Sequence, residues 1–180
     1  EAKIVDQIIP IVQEHPVWQT WGRQVKGLGE VSLGVLLGKT DIDRMTNVSK
    51  LWSHCGFGLK GGLPQRKHKG QPVDFDLQLK GRCTVIGECL VRASDAYKRI
   101  YDSEKARFLA AGLVKGHAHN RAFRHMIKLF LSHFWEMWRK AEGLEAVQPY
   151  AIKYLEHDGY IPPERMMRPV PPERERRPKK

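Results

Sequence analysis

Two stretches combine residue types that could hold an anion. The first is Lys26-Gly27-Leu28-Gly29. Glycines here can take backbone angles that a Cβ makes costly. Leu28 between them is the apolar plug that pins the turn to a core. A helix that starts after Gly29 presents unpaired backbone N–H groups at the positive end of its dipole, which is a phosphate-binding geometry. A turn of this kind grips a phosphate without reading bases, although an ordinary interhelical turn has the same spacing. The second stretch runs from Gly56 to Val73. It carries Lys60, Arg66, Lys67, His68 and Lys69 among five glycines, without one acidic residue. Lysines and arginines on a flexible segment suit a nucleic-acid backbone, because each phosphate contact releases condensed counterions. A solvated loop is the alternative.

Other chemistry has less support. His117, His119, His125 and His133 lie close in sequence, but on a helix His117 and His119 fall on different faces and no carboxylate within the run completes a metal set. Asp41, Asp43, Asp74 and Asp76 read as turn and capping residues. There is no P-loop or dinucleotide fingerprint. The three cysteines, Cys55, Cys83 and Cys89, contain no CxxC pair, which disfavours a disulfide framework or a zinc ribbon and points to a reducing cytosol.

The elements that position these residues read as helices. Val17, Trp18, Trp21 and Val25 form a face leading into the glycine turn, and a second helix follows through Leu37. Thr46 is the expected N-cap of a third, through Leu51 to Cys55. Pro10 and Pro16 are expected to interrupt the helix before them. Asp76 caps a longer helix with a stripe of Leu79, Cys83, Ile86, Leu90 and Ala93. Gly81 and Gly87 within it suggest close helix packing. Ser94 or Asp95 caps the next helix, and residues 115–144 form the most apolar one. Trp135 and Trp138 on it are candidates for either core or a subunit interface. Residues 149–160 read as a short helix or turn. From Ile161 the chain turns rich in proline and arginine, which predicts a disordered tail.

The fold class expected is therefore all-α: a helix-hairpin-helix core, a long C-terminal helical part and a disordered basic tail. The expected divisions are 1–16 as the end of an upstream helical linker, 17–110 as the helix-hairpin-helix domain, 111–160 as a helical extension, and 161–180 as the tail. The formal charge of +11 over 180 residues calls for an anionic partner, nucleic acid first and an anionic membrane surface second. No apolar run reaches the length of a membrane span. Opening on Glu1 suggests a fragment of something longer.

Several blocks together resemble a family. They are Val25-Lys26-Gly27-Leu28-Gly29, Asp41-Ile42-Asp43-Arg44, Ser49 through Phe57, Leu79-Lys80-Gly81-Arg82, Tyr97 through Asp102, Lys105-Ala106-Arg107, and Lys128 through Arg139. In order and spacing, over about residues 15–163, they resemble the C-terminal domain of prokaryotic insertion-sequence transposases, the bridge-RNA-guided recombinases with an N-terminal RuvC-like DEDD half. The resemblance implies DNA transposition and recombination in a prokaryotic cytoplasm, with DNA and a guide RNA as partners and a homo-oligomer as the working state. It implies Mg2+ only in the RuvC-like half, so no cofactor is expected in this chain. Two departures qualify it: the acidic half is absent, and the position of the family's Ser-Gly pair reads Gly61-Gly62. No catalytic residue is carried over, and whether the chain is an enzyme is left open. The expected DNA-binding residues are Lys26, Gly27, Leu28, Gly29, Lys60, Arg66, Lys67 and Lys69. The alternative expectation is a catalytically silent helical oligomerisation module.

Overall fold

The structure is a computed structural model that describes residues 2–146 and 160–169. It is all-α apart from one two-stranded hairpin. The helices are α1 (Ala2–Glu14), α2 (Pro16–Thr20), α3 (Glu30–Lys39), α4 (Val48–His54), α5 (Leu77–Ala93), α6 (Ala96–Ala110) and α7 (Lys115–Ala141). Two 3-10 turns, Gly22–Gln24 and Pro163–Met166, and the antiparallel strands β1 (Leu59–Lys60) and β2 (Leu63–Pro64) complete the described elements.

Helix α7 is the axis of the fold. Ala118, Ala122, Met126, Ile127, Phe130, Leu131, Phe134, Trp135 and Trp138 are all buried along it. Trp21 from the first turns packs on Phe130 and Phe134, with ring centroids 5.6 and 6.5 Å away. Helices α6 and α7 form an antiparallel pair joined through Gly112 at φ +84°. The buried residues form one cluster, drawn from both sides of residues 16/17 and 110/111. Trp135 and Trp138 belong to it. Their indole N–H groups donate to the Met45 carbonyl (2.6 Å) and to Glu142 Oε1 (3.1 Å), so the chain covers the apolar face of α7 itself.

Two expectations about the N-terminal part are corrected. Helix α1 runs through Pro10 without a break. Pro10 is exposed, while Ile8 and Val12 face α3 at Gly34, where a Cβ would sit 2.9 Å from a methyl of each. Close packing at that glycine outweighs the hydrogen bond that a proline removes. The cap of α4 is Asn47, whose Oδ1 accepts the Lys50 N–H at 3.0 Å. Thr46 instead accepts from the Lys50 ammonium. Asp76 and Asp95 cap α5 and α6, as their positions in sequence require.

The tail expectation divides. Ile161 to Pro169 is ordered against the body, contrary to a disordered reading. Met166 is buried, the Ile161 carbonyl accepts from His133, and Arg168 donates its N–H to the Gln24 carbonyl and its Nε to Asp95. The prolines that end regular structure leave side chains free to seat between α6 and α7. The expected turn at 149–159 and the remaining tail, 170–180, lie outside the described residues. Among those described, no helix is long and apolar enough to cross a membrane.

Candidate nucleic-acid interface

The glycine turn forms as its sequence suggests, with one change of role. Gly27 has φ +94°, the left-handed region that favours glycine. A Cβ there would lie 2.8 Å from the Cys89 carbonyl oxygen and 2.9 Å from the Ala93 Cβ, so the turn sits directly on the C-terminal end of α5. Leu28 is buried beside it. Gly29 is extended at φ −103° and serves as the N-cap of α3, with nothing near an added Cβ. The N–H groups of Gly29, Glu30, Val31 and Ser32 find no acceptor among the described residues. Lys26, Gly27 and Gly29 are exposed on that side. Glu30 brings a negative charge to the same helix end, and Gln13 on α1 holds its Oε1 at 3.1 Å.

The second stretch is a built structure rather than a free loop. Gly61 and Gly62, at φ +57° and +77°, make the two-residue turn that twisted strands prefer. They pair Leu59 with Pro64 and Lys60 with Leu63. At the base, buried Gln65 accepts the Gly58 N–H at 2.9 Å and returns its own N–H to the Gly58 carbonyl at 3.3 Å. From α7, Arg124 donates to the carbonyls of Phe57 and Gly58, the latter at 2.8 Å, and from α5, Lys80 donates to the Gln65 carbonyl at 2.9 Å.

Each expected contact residue now has a place. Lys60 is exposed but paired with Asp74 at 2.9 Å, and this pairing holds the Asp74 carboxyl below its usual value. Arg66, Lys67 and Lys69 are exposed beyond Gln65. Neither they nor Lys26 make an ion pair with a described residue. The structure does not bring the two stretches together. Helices α3 and α5 run antiparallel, with Gly27 on Cys89 at one end and Lys39 on Asp76 (3.1 Å) at the other. The step along α5 from Asp76 to Cys89 is about 20 Å. The glycine turn and the basic hairpin therefore flank opposite ends of one helix.

Lys80, Arg124 and Lys128 were outside the expected set. Arg124 and Lys128 are one turn apart on α7, and both are half-buried with aromatic partners. The Lys128 ammonium lies 3.8 Å from the Trp52 ring centre, Arg124 lies 5.7 Å from that of Phe57, and Lys80 lies 4.5 Å from that of Phe75. Burial lowers the pKa of all three. Neighbouring positive charge lowers them further: Arg124 and Arg66 for Lys80, Arg66 for Arg124, and Arg124 for Lys128. The sequence signal for Arg124 and Lys128 was the acid-free first half of α7; Lys80, on α5, had none.

The histidines do not assemble. His119 bonds the Tyr101 hydroxyl, His125 sits 2.8 Å from Glu104, and His133 lies in the core. Among the described residues, no group of three His, Cys, Asp or Glu side chains could hold a metal ion. Cys55 and Cys83 are buried free thiols in contact; the hydrogen bond to Cys83 and burial push the Cys55 thiol far up, which makes it a core residue. No protein-family model, curated protein or solved structure matches this chain.

Proposed function

We propose that this chain binds the backbone of DNA without reading its sequence, as the DNA-binding C-terminal domain of an insertion-sequence transposase. The observation that carries the DNA reading is the pair of cationic or amide-rich sites at the two ends of α5. At one end, four N–H groups of a helix start beside exposed Lys26 find no acceptor among the described residues. At the other, Arg66, Lys67 and Lys69 stand exposed without a carboxylate partner among the described residues. The sites are about 20 Å apart along α5, and a duplex, with one charge per about 1.7 Å of axis, offers phosphates throughout a segment of that length. The transposase assignment adds the block resemblance given above, with a guide RNA and self-association as further partners. The role proposed is binding.

Fluorescence anisotropy with two labelled duplexes of unrelated sequence tests the DNA reading. Equal affinities for both, falling steeply with salt, are expected. No saturable binding to either duplex at low salt would overturn it.

A further inference from the structure

We propose that Lys80, Arg124 and Lys128, with Arg66 at the rim, form a site for one phosphate group at the base of the hairpin, and that the group is a backbone phosphodiester. The nature of the occupant rests on the nucleic-acid reading above; the site rests on the following geometry.

The three cations converge on one place. Gly58 and Gln65 close the base of the hairpin against each other. Arg124 grips the Gly58 side and Lys80 grips the Gln65 side. Lys128, one turn along α7 from Arg124, lies over Trp52, whose indole N–H donates back to the Lys128 carbonyl at 3.0 Å. The arrangement leaves hydrogen-bond donors open. A guanidinium has five N–H donors and an ammonium three. Arg124 uses only Nη2, and Lys80 makes one hydrogen bond. The Lys128 ammonium makes none to a described residue and meets only the face of a ring.

The nearby acids are already occupied. Asp74 accepts from Lys60 and Gln65, and Asp76 accepts from Lys39 and the Leu79 N–H. No carboxylate lies within ion-pair distance of Lys80, Arg124, Lys128 or Arg66 among the described residues. Like charges partly withdrawn from water and left without a counterion raise the energy of the folded chain. The depressed pKa values of all three groups agree with that strain. A tetrahedral dianion or phosphodiester supplies both the missing charge and the acceptors. The fork of Arg124 and the flanking ammonium groups suit its geometry. The carbonyls that Arg124 and Lys80 grip also belong to the hairpin bearing Lys60, with Arg66 next in sequence, so an occupied site would fix the hairpin's orientation.

The test uses inorganic pyrophosphate and a short DNA duplex as probes. In an NMR titration of the full chain, pyrophosphate should shift the Trp52 indole N–H saturably and leave that of Trp135, buried two turns further along α7 and held by the Met45 carbonyl, unmoved. Lys128→Met keeps the stem over Trp52 and removes the charge. It should weaken both pyrophosphate and duplex binding by about tenfold, the scale of one charge-assisted hydrogen bond. Lys140→Met, at the far end of α7 and paired with Glu136, should change neither. Pyrophosphate binding that depends on Lys128 without any duplex binding would uphold the phosphate site and overturn the phosphodiester as its occupant. Duplex binding unaltered in Lys128→Met, with no pyrophosphate effect at Trp52, would leave the DNA reading standing and overturn this site. The wild-type titration decides the matter even if the variant misfolds.

Discussion

The Tyr97 hydroxyl and His133 Nδ1 meet at 2.8 Å inside the core, and both residues are buried. The other ring nitrogen, Nε2, lies 2.7 Å from the Ile161 carbonyl. A carbonyl can only accept, so Nε2 carries a proton, and burial favours the neutral ring, in which Nδ1 accepts from Tyr97. The imidazole is thus neutral and joins α6, α7 and the segment from Ile161 to Pro169. Burial lowers the His133 pKa below 6.5, with Glu136 and Glu164 and the bond to Ile161 opposing the shift.

This fixes the sign of a pH dependence. Below 6.5 the unfolded chain binds a proton at this residue that the folded chain resists. The contribution of His133 to stability is complete above 6.5 and is lost as pH falls from there through the folded value. His15, also lowered by burial, acts in the same direction. The urea midpoint should therefore fall between about pH 7.5 and about pH 5.5, the range around the ordinary histidine value. His133→Phe should cost about 1–3 kcal/mol, by leaving a buried hydroxyl and carbonyl unpaired, and should flatten that dependence. A pH slope equal to that of the wild type would exclude His133 as its source.

The two glycines of the turn should respond differently. Gly27→Ala forces a Cβ against the Cys89 carbonyl at a positive φ. It should destabilise by about 1–3 kcal/mol, or more if α5 cannot shift. Gly29→Ala meets open space at an ordinary φ and should cost about 1 kcal/mol or less, the scale of losing a good N-cap. Thermal unfolding of the two single variants measures both; equal costs would contradict the packing of Gly27 on α5.

Gly81 and Gly87 make a second contrast, within α5. At Gly87 a Cβ would sit 2.8 Å from Phe123 Cζ and 2.9 Å from Ile127 Cδ1, whereas at Gly81 nothing lies within 4 Å. Gly87→Ala should cost about 1–3 kcal/mol through overpacking, while Gly81→Ala should stabilise by up to about 1 kcal/mol through helix propensity. Denaturant midpoints of the two variants moving the same way would contradict this.

Much of the fold was legible because its signals are local. The stripe from Leu79 to Ala93 and the side-chain caps Asp76 and Asp95 depend on residues within a few positions of each other. What the sequence hid depends on distant partners. Pro10 stays helical because Ile8 and Val12 find Gly34. Ile161 and Met166 become ordered because α6 and α7 offer them a seat. Gly81 and Gly87 look alike in the chain, and only the approach of Phe123 and Ile127 separates them. The candidate site divides the same way. The charge of the 56–73 stretch was plain, but its placement about 20 Å from the glycine turn follows from the antiparallel packing of α3 on α5. Lys80 could not be singled out without the hairpin carbonyl that it holds.

The segment after Tyr160 supplies a further prediction. Arg168 Nε lies 2.6 Å from Asp95 Oδ2, and Arg168, first among several partners, holds the Asp95 carboxyl below its usual value. Both side chains are partly exposed, so Arg168→Ala should cost under about 1 kcal/mol. Asp95→Ala also removes the cap of α6 and should cost about 1–2 kcal/mol. Chemical denaturation of the two variants should rank them in that order; since Asp95→Ala removes the ion pair as well as the cap, the reverse order would contradict a stabilising cap at Asp95.

On the proposed reading, exposed cations of the hairpin region neutralise phosphates. Its most direct measurement is the slope of log Kobs against log salt for a DNA duplex, with the wild type beside the fourfold variant Lys60→Ala, Arg66→Ala, Lys67→Ala, Lys69→Ala. Each phosphate contact adds about 0.9 to the slope, so the variant should bind more weakly with a slope shallower by about 3, Lys60 adding least because Asp74 already holds it. Equal affinities and parallel slopes for the two proteins would contradict the account.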